Sequence, residues 1–139
     1  MTRSSSFELQ VEFGDCDPAQ IVYFPNFFRW ADAASRRYFV ACGLPNWQEA
    51  KQTHGIIGTP CVSAEGRFIA PASYGDVLAI ETYIVEWRDK SFVFRHVIRR
   101  GQLDIAEITE VRVFACEVQD AGKKIQAVTV PPEWRALCE

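Results

Sequence analysis

The chain has 139 residues, 48% of them hydrophobic and 24% charged, with a net charge of −3. That length holds one core and leaves little for a second, so residues 1–139 read as a single domain. The composition excludes disorder, and the scattered basic residues exclude a nucleic-acid surface.

In chain order, "MTRSSSFELQVEF" passes from a polar tip straight into a strand pattern. Phe7, Leu9, Val11 and Phe13 alternate with Glu8, Gln10 and Glu12, the period-two signature of a half-buried strand that Gly14 ends. Neither a signal peptide nor a membrane span is visible there, which points to the cytoplasm. The cysteines, Cys16, Cys42, Cys61, Cys116 and Cys138, have no C-x-x-C spacing and read as reduced, small buried hydrophobes. Cys16 lacks the cationic neighbour that thiolate activation wants. His54 and His96 have no local partners, so no metal site is expected.

"PNFFRWADAASRRYFVAC", Pro25 to Cys42, predicts the longest helix, with Pro25 at its first position and Gly43 terminating it. Phe27, Ala31, Ala34, Tyr38 and Ala41 share one face, whose small residues let a sheet approach closely. After a polar connection containing Trp47, the rest reads mostly as strand: "GIIGTPCVSAEGRFIA", "VLAIETYIVEW", "SFVFRHVIRR", "ITEVRVFACEV" and "KIQAVTV". The stretch Val77 to Trp87 is apolar on both faces, Ile80 and Ile84 on one and Tyr83, Val85 and Trp87 on the other. A helix on one side and a partner subunit on the other would cover it. A short helix is expected after Pro131 and Pro132. The pattern is that of an α+β domain, an antiparallel sheet wrapped around a long central helix; a cone-shaped binding fold shares it.

Chemistry concentrates in "EFGDCDPAQIVYFPNFFRW", Glu12 to Trp30. Asp15 and Asp17 each read two ways, as turn or cap residues or as functional carboxylates. Asp17 precedes Pro18, which holds it in extended backbone just upstream of the helix start. Pro25 contributes no donor, leaving the N–H groups of Phe24, Asn26 and Phe27 to seek acceptors. A carbonyl oxygen gaining negative charge is such an acceptor, so carboxylate and helix start together make half of an acyl-transfer site. Tyr23, Phe24, Phe28 and Trp30 would wall it from water. Asp32, inside the helix, reads as a solvated or salt-bridged residue with Arg29, Arg36 and Arg37 in reach.

The segment "VEFGDCDPAQIVYFPNFFRWADAASRRYF", with "CGLPNW", "GIIGTP" and "EWRDKSF", resembles the 4-hydroxybenzoyl-CoA thioesterases of the hotdog fold. The resemblance runs from the first strand to the final "LCE". A sibling acyl-CoA thioesterase group has His and Ala where Phe24 and Pro25 stand. Another lineage uses a helix Glu, and Asp32 is the helix's sole acidic residue.

The resemblance implies that Asp17 attacks the thioester carbonyl or directs water at it, and that the Phe24 N–H polarises that carbonyl. It places Asp32 near the benzoyl end, where it could accept a hydrogen bond from a ring hydroxyl; Tyr23, from the aromatic wall, is a further substrate-binding candidate. Trp47 and Thr59 match positions around the substrate and its pantetheine arm. Arg88 and Lys90 match basic positions that meet the nucleotide phosphates of CoA, although Asp89 between them departs from the more basic pattern. The hairpin "RRGQLDI" is shorter than the family's. No cofactor is implied, CoA being part of the substrate, and no nucleic acid or membrane partner; the expected assembly is a homotetramer, a dimer of dimers. Other aryl or short-chain acyl-CoA esters, or a non-catalytic domain binding CoA esters or a small apolar ligand, are the alternatives.

Overall fold

The computed structural model describes residues 3–120 and 122–139. Among them the elements run β1 (Ser4–Gln10), α1 (Pro25–Cys42), α2 (Trp47–His54), β2 (Ile56–Gly58), β3 (Cys61–Phe68), β4 (Val77–Trp87), β5 (Ser91–Arg100), β6 (Leu103–Asp120), β7 (Lys123–Val128) and α3 (Pro132–Leu137). Every strand pairing is antiparallel. The sheet runs β1-β4-β5-β6; β3 pairs residues 106–112 of β6, and β2 and β7 pair with its second half. The helix α1 packs on this sheet, which is the α+β hotdog arrangement.

Alternation along the strands and helical spacing along α1 bury two apolar clusters. One gathers around Phe27, Trp30, Ala31, Leu78, Ile80 and Ile108, the other around Tyr38, Phe39, Ile84, Phe92, Phe94 and Phe114. Phe94 is fully buried and meets Tyr38 edge-on at 5.2 Å, so truncating it to Ala would cost about 3–5 kcal/mol. Between the clusters lies a polar layer. Ser35 stands between Ala34 and Tyr38, Thr82 between Ile80 and Ile84, His96 between Phe94 and Ile98, and Glu110 with Arg112 between Ile108 and Phe114; all five are buried.

The structure departs from the sequence expectation in six places. First, β1 stops at Gln10, because the chain winds into a 3-10 turn at Phe13–Asp15 that leaves Phe13 80% exposed. Second, the supposed polar connection holds α2, capped by Asn46 Oδ1 accepting from the Glu49 N–H at 2.8 Å. Third, the "GIIGTPCVSAEGRFIA" run breaks into β2 and β3 around Thr59-Pro60, where proline has no N–H for the ladder. Fourth, Ala41 is exposed and Cys42 ends the buried stripe of α1. Fifth, a bulge between Ile84 and Glu86 shifts the phase of β4, so Trp87 packs against the core on Ile84's side. The outer face of β4 is open in this chain, Val85 being exposed and Tyr83 half-buried. Last, Cys61 is exposed because it opens β3, in which every residue but Gly66 is exposed.

Candidate active site

The loop before α1 is built around Asp15. Its carboxylate accepts from the Glu12 N–H (2.8 Å) and from Arg29 Nη2 (3.0 Å), while its carbonyl accepts from the Tyr23 N–H and from Asn26 Nδ2, both at 2.8 Å. These bonds consume Asp15 structurally and tie the loop to the first turn of α1. Asp17 is free of such duties: one oxygen, Oδ1, accepts from the Ala19 N–H at 2.9 Å, an Asx turn that orients the carboxylate. Its other oxygen takes no hydrogen bond among the described residues. Asp17 is half-buried in a cavity of about 800 Å³ between Phe13, Pro18, Ile21 and Tyr74. Gln20, in the same turn, is held at φ +66°, the one non-glycine residue in the left-handed region among those described.

The helix start offers fewer donors than the sequence implied. The Asn26 N–H is taken by the Tyr23 carbonyl at 2.9 Å and the Phe27 N–H by the Phe24 carbonyl at 3.1 Å. Only the Phe24 N–H has no acceptor among the described residues. Phe24 sits in helical backbone (φ −56°, ψ −32°) directly before Pro25, a conformation that a following proline disfavours. Phe24 lines an apolar cavity of about 570 Å³ with Val22, Phe27 and Phe68, and Ile21 borders this cavity and that of Asp17. Tyr23 and Phe24 are 52% and 56% exposed, and Phe28 is half-buried against Phe68. Trp30 is no part of the wall: it lies in the core, edge-on to Phe27 at 5.5 Å.

Asp32, Trp47 and Thr59 meet in a different cavity, of about 380 Å³, bordered also by Ser35, Cys61 and Arg112. Asp32 is paired with Arg112 rather than with Arg29, Arg36 or Arg37: Nη2 donates to Asp32 Oδ1 at 2.7 Å. The buried guanidinium also donates to the Thr59 carbonyl at 2.7 Å and to both oxygens of Glu110, at 2.6 and 3.2 Å. Behind it, Glu110 Oε1 lies 2.6 Å from both His96 Nε2 and Ser35 Oγ, and His96 Nδ1 is 2.8 Å from Thr82 Oγ1. Burial alone would raise the Glu110 pKa; the hydrogen bonds and charges of His96 and Arg112 outweigh it and bring it down from 4.5 to about 2.

Arg88 and Lys90 lie in neither place. They are exposed in the turn between β4 and β5, where Arg88 pairs with Glu86 at 3.0 Å. Tyr74, beside Asp17, is just before the start of β4, and an 11-residue strand spans about 35 Å, so one chain's basic turn is remote from its own Asp17. Apart from this turn, the expected residues fall into two groups at the two ends of β3: Phe24 meets Phe68 (ring centroids 5.8 Å), while Cys61 borders the Asp32 cavity. Among the described residues no cluster of His, Cys, Asp or Glu could hold a metal ion, and no helix is long and apolar enough to cross a membrane.

Sequence reasoning missed the polar layer, though a signal was present. In β6 the inward row Ala106, Ile108, Glu110, Arg112, Phe114 interrupts apolar residues with two opposite charges, and in β5 His96 interrupts Phe94 and Ile98. It also missed the side chain of Asn26, whose tie to Asp15 could be read only once the loop was seen to lie within reach, and the flanking pair Phe13 and Tyr74, edge-on at 6.0 Å.

Comparison with known proteins agrees with this arrangement. The model of the thioesterase-like superfamily matches residues 11–137. The chain is 49% identical over 143 residues to 4-hydroxybenzoyl-CoA thioesterase from Pseudomonas sp. (strain CBS-3), covering 99% of each. A crystal structure of an Asp-to-Asn variant of 4-hydroxybenzoyl-CoA thioesterase, complexed with 4-hydroxybenzoyl-CoA, matches with a TM-score of 0.90 at 46% identity over 99% of both chains. A gentisyl-coenzyme A thioesterase matches with a TM-score of 0.79 at 31% identity, over 96% of this chain and 98% of that one. With these relatives, the chain belongs to the thioesterase-like superfamily and is a hotdog-fold thioester hydrolase.

Proposed function

We propose that the chain hydrolyses hydroxylated aromatic acyl-CoA esters, 4-hydroxybenzoyl-CoA foremost, to the aryl carboxylate and free CoA. One observation carries the mechanism: the Phe24 N–H is the donor that α1 leaves unused, and Asp17, with a free oxygen, lines the adjoining cavity across Ile21. The thioester oxygen would accept from Phe24 N–H as it gains charge. Asp17 would either add to the carbonyl carbon, expelling CoA thiolate and leaving an acyl anhydride that water cleaves, or take the proton of the attacking water. The relatives reported above support the acyl class, since the groups they are named for carry ring hydroxyls.

Asp32, Trp47 and Thr59 would hold the acyl group and pantetheine arm, Tyr23 would border the entrance, and Arg88 and Lys90 would meet the CoA phosphates. These groups are apart in one chain, so the site needs a second copy. The exposed strand β3 supplies the means. Pairing β3 with its two-fold copy, antiparallel, sets the Phe68 end of one chain beside the Cys61 end of the other, and so Phe24 beside the second chain's Asp32 cavity. A homotetramer built from such dimers, in the cytoplasm, completes the reading; the five free cysteines suit a reducing compartment.

The test is release of free CoA thiol across a panel of acyl-CoA esters. The expected result is fastest turnover of 4-hydroxybenzoyl-CoA, with Asp17→Asn abolishing release while the ester still binds. Unchanged turnover in Asp17→Asn would overturn the mechanism, and a preference for aliphatic chains the substrate.

A further inference from the structure

Asp32 is anomalous for a residue assigned to recognise a ligand. Its side chain is 64% exposed on a helix surface, where a short carboxylate ordinarily has several rotamers, yet it is gripped by a guanidinium whose side chain is only 6% exposed. That guanidinium is fixed on every side. Nε and Nη2 hold both oxygens of Glu110, Nη1 holds the Thr59 carbonyl, and Nη2 reaches Asp32. Glu110 is pinned in turn by Ser35 and His96, and His96 by Thr82. A carboxylate oxygen only accepts, so the His96 Nε2 that faces Glu110 carries its proton there. The layer therefore crosses the whole core from β4 to the cavity, with Asp32 as its exposed end. It engages one oxygen of Asp32; the other takes no hydrogen bond among the described residues.

We propose that Arg112, braced by Glu110 and His96, is a positioning residue that presents the free oxygen of Asp32 to a hydroxyl on the bound acyl ring. The layer then sets discrimination between hydroxylated and bare aromatic acyl groups. This rests on the aryl acyl-CoA reading above. Lysine cannot substitute, because a single ammonium does not reach Glu110, the Thr59 carbonyl and Asp32 together. A plain structural ion pair would hold the fold equally for any substrate, whereas a positioning role acts only where a hydroxyl is present.

The experiment compares kcat/KM for 4-hydroxybenzoyl-CoA and benzoyl-CoA in the wild-type protein, Asp32→Ala, Arg112→Lys and the double variant, with thermal unfolding as the check on folding. The wild type should prefer the hydroxylated ester. Arg112→Lys should lower that preference roughly 10- to 100-fold, the scale of one charge-assisted hydrogen bond. It should lower it no further in the Asp32→Ala background. If Arg112→Lys does not fold, Glu110→Gln, which keeps the shape and loosens the brace, should reduce the same ratio. Preference lost in Asp32→Ala but retained in Arg112→Lys or Glu110→Gln overturns the positioning role alone. A wild type without preference for the hydroxylated ester overturns the substrate reading and this inference with it.

Discussion

Gln20 illustrates how the site constrains single residues. Its φ of +66° is a conformation that glycine adopts freely and a side chain resists. The turn tolerates it because the Gln20 N–H bonds the Asp17 carbonyl (2.8 Å) and the Asp17 N–H bonds the Ile21 carbonyl (2.9 Å), closing the loop that aims the carboxylate. Gln20→Gly should therefore stabilise the fold by roughly 0.5–1 kcal/mol, measured by denaturant unfolding. The neighbouring donor gives a sharper test. Phe24→Ala keeps the main-chain N–H and should change kcat little, whereas Phe24→Pro removes it and should lower kcat about 10²–10³-fold. Equal losses in the two variants would show that the ring, and not the N–H, matters. The strand–loop–helix order here was legible in the sequence; the strain at Gln20 was not, because glutamine carries no signal for a positive φ.

Among elements, α2 was the least legible and is the easiest to test. Its start, Asn46-Trp47-Gln48-Glu49, places a capping side chain three residues before a glutamate, and Gly55 stops it at φ +71°. The eight residues bury only Ala50 completely, so composition gave little hydrophobic period to find. Asn46→Ala should cost about 1 kcal/mol in thermal unfolding. Because α2 carries Trp47 into the Asp32 cavity, KM should rise in that variant with kcat less affected. The β4 bulge is a second lesson at this scale: one inserted residue reversed the face of Trp87, and strict alternation cannot anticipate that.

For the whole molecule, the polar layer links stability to pH. Glu110 has its pKa lowered from 4.5 to about 2. A depressed acid contributes stability that is complete above its unfolded value and lost as pH falls through its folded value. That contribution should thus be full above pH 4.5 and vanish toward pH 2. In denaturant titrations across that range, Glu110→Gln should be less stable than wild type at neutral pH, and the gap should narrow as the pH falls. A constant gap would mean that the carboxylate's charge is not what the layer uses. The open edge is the other molecular feature. Ala64→Asp, at the middle of β3, should yield monomers in sedimentation and a large drop in CoA release, since in that pairing each new carboxylate would lie opposite the other chain's Glu65 across the two-fold edge. Intact dimers with full activity would move the interface elsewhere.

Local patterning sufficed for the first strand, the long helix, the strand-rich remainder and the stretch holding Asp17 and Phe24, because these depend on contacts between near neighbours in the chain. Which helix-start N–H is left over, which arginine pairs with Asp32, and which residues share a cavity depend on groups brought together from distant positions. Arg112 lies 80 positions after Asp32. Only the packing of β6 against α1 decides that the two meet, and only the folded chain, which puts Asp17 and Asp32 in separate cavities, shows that they stand apart.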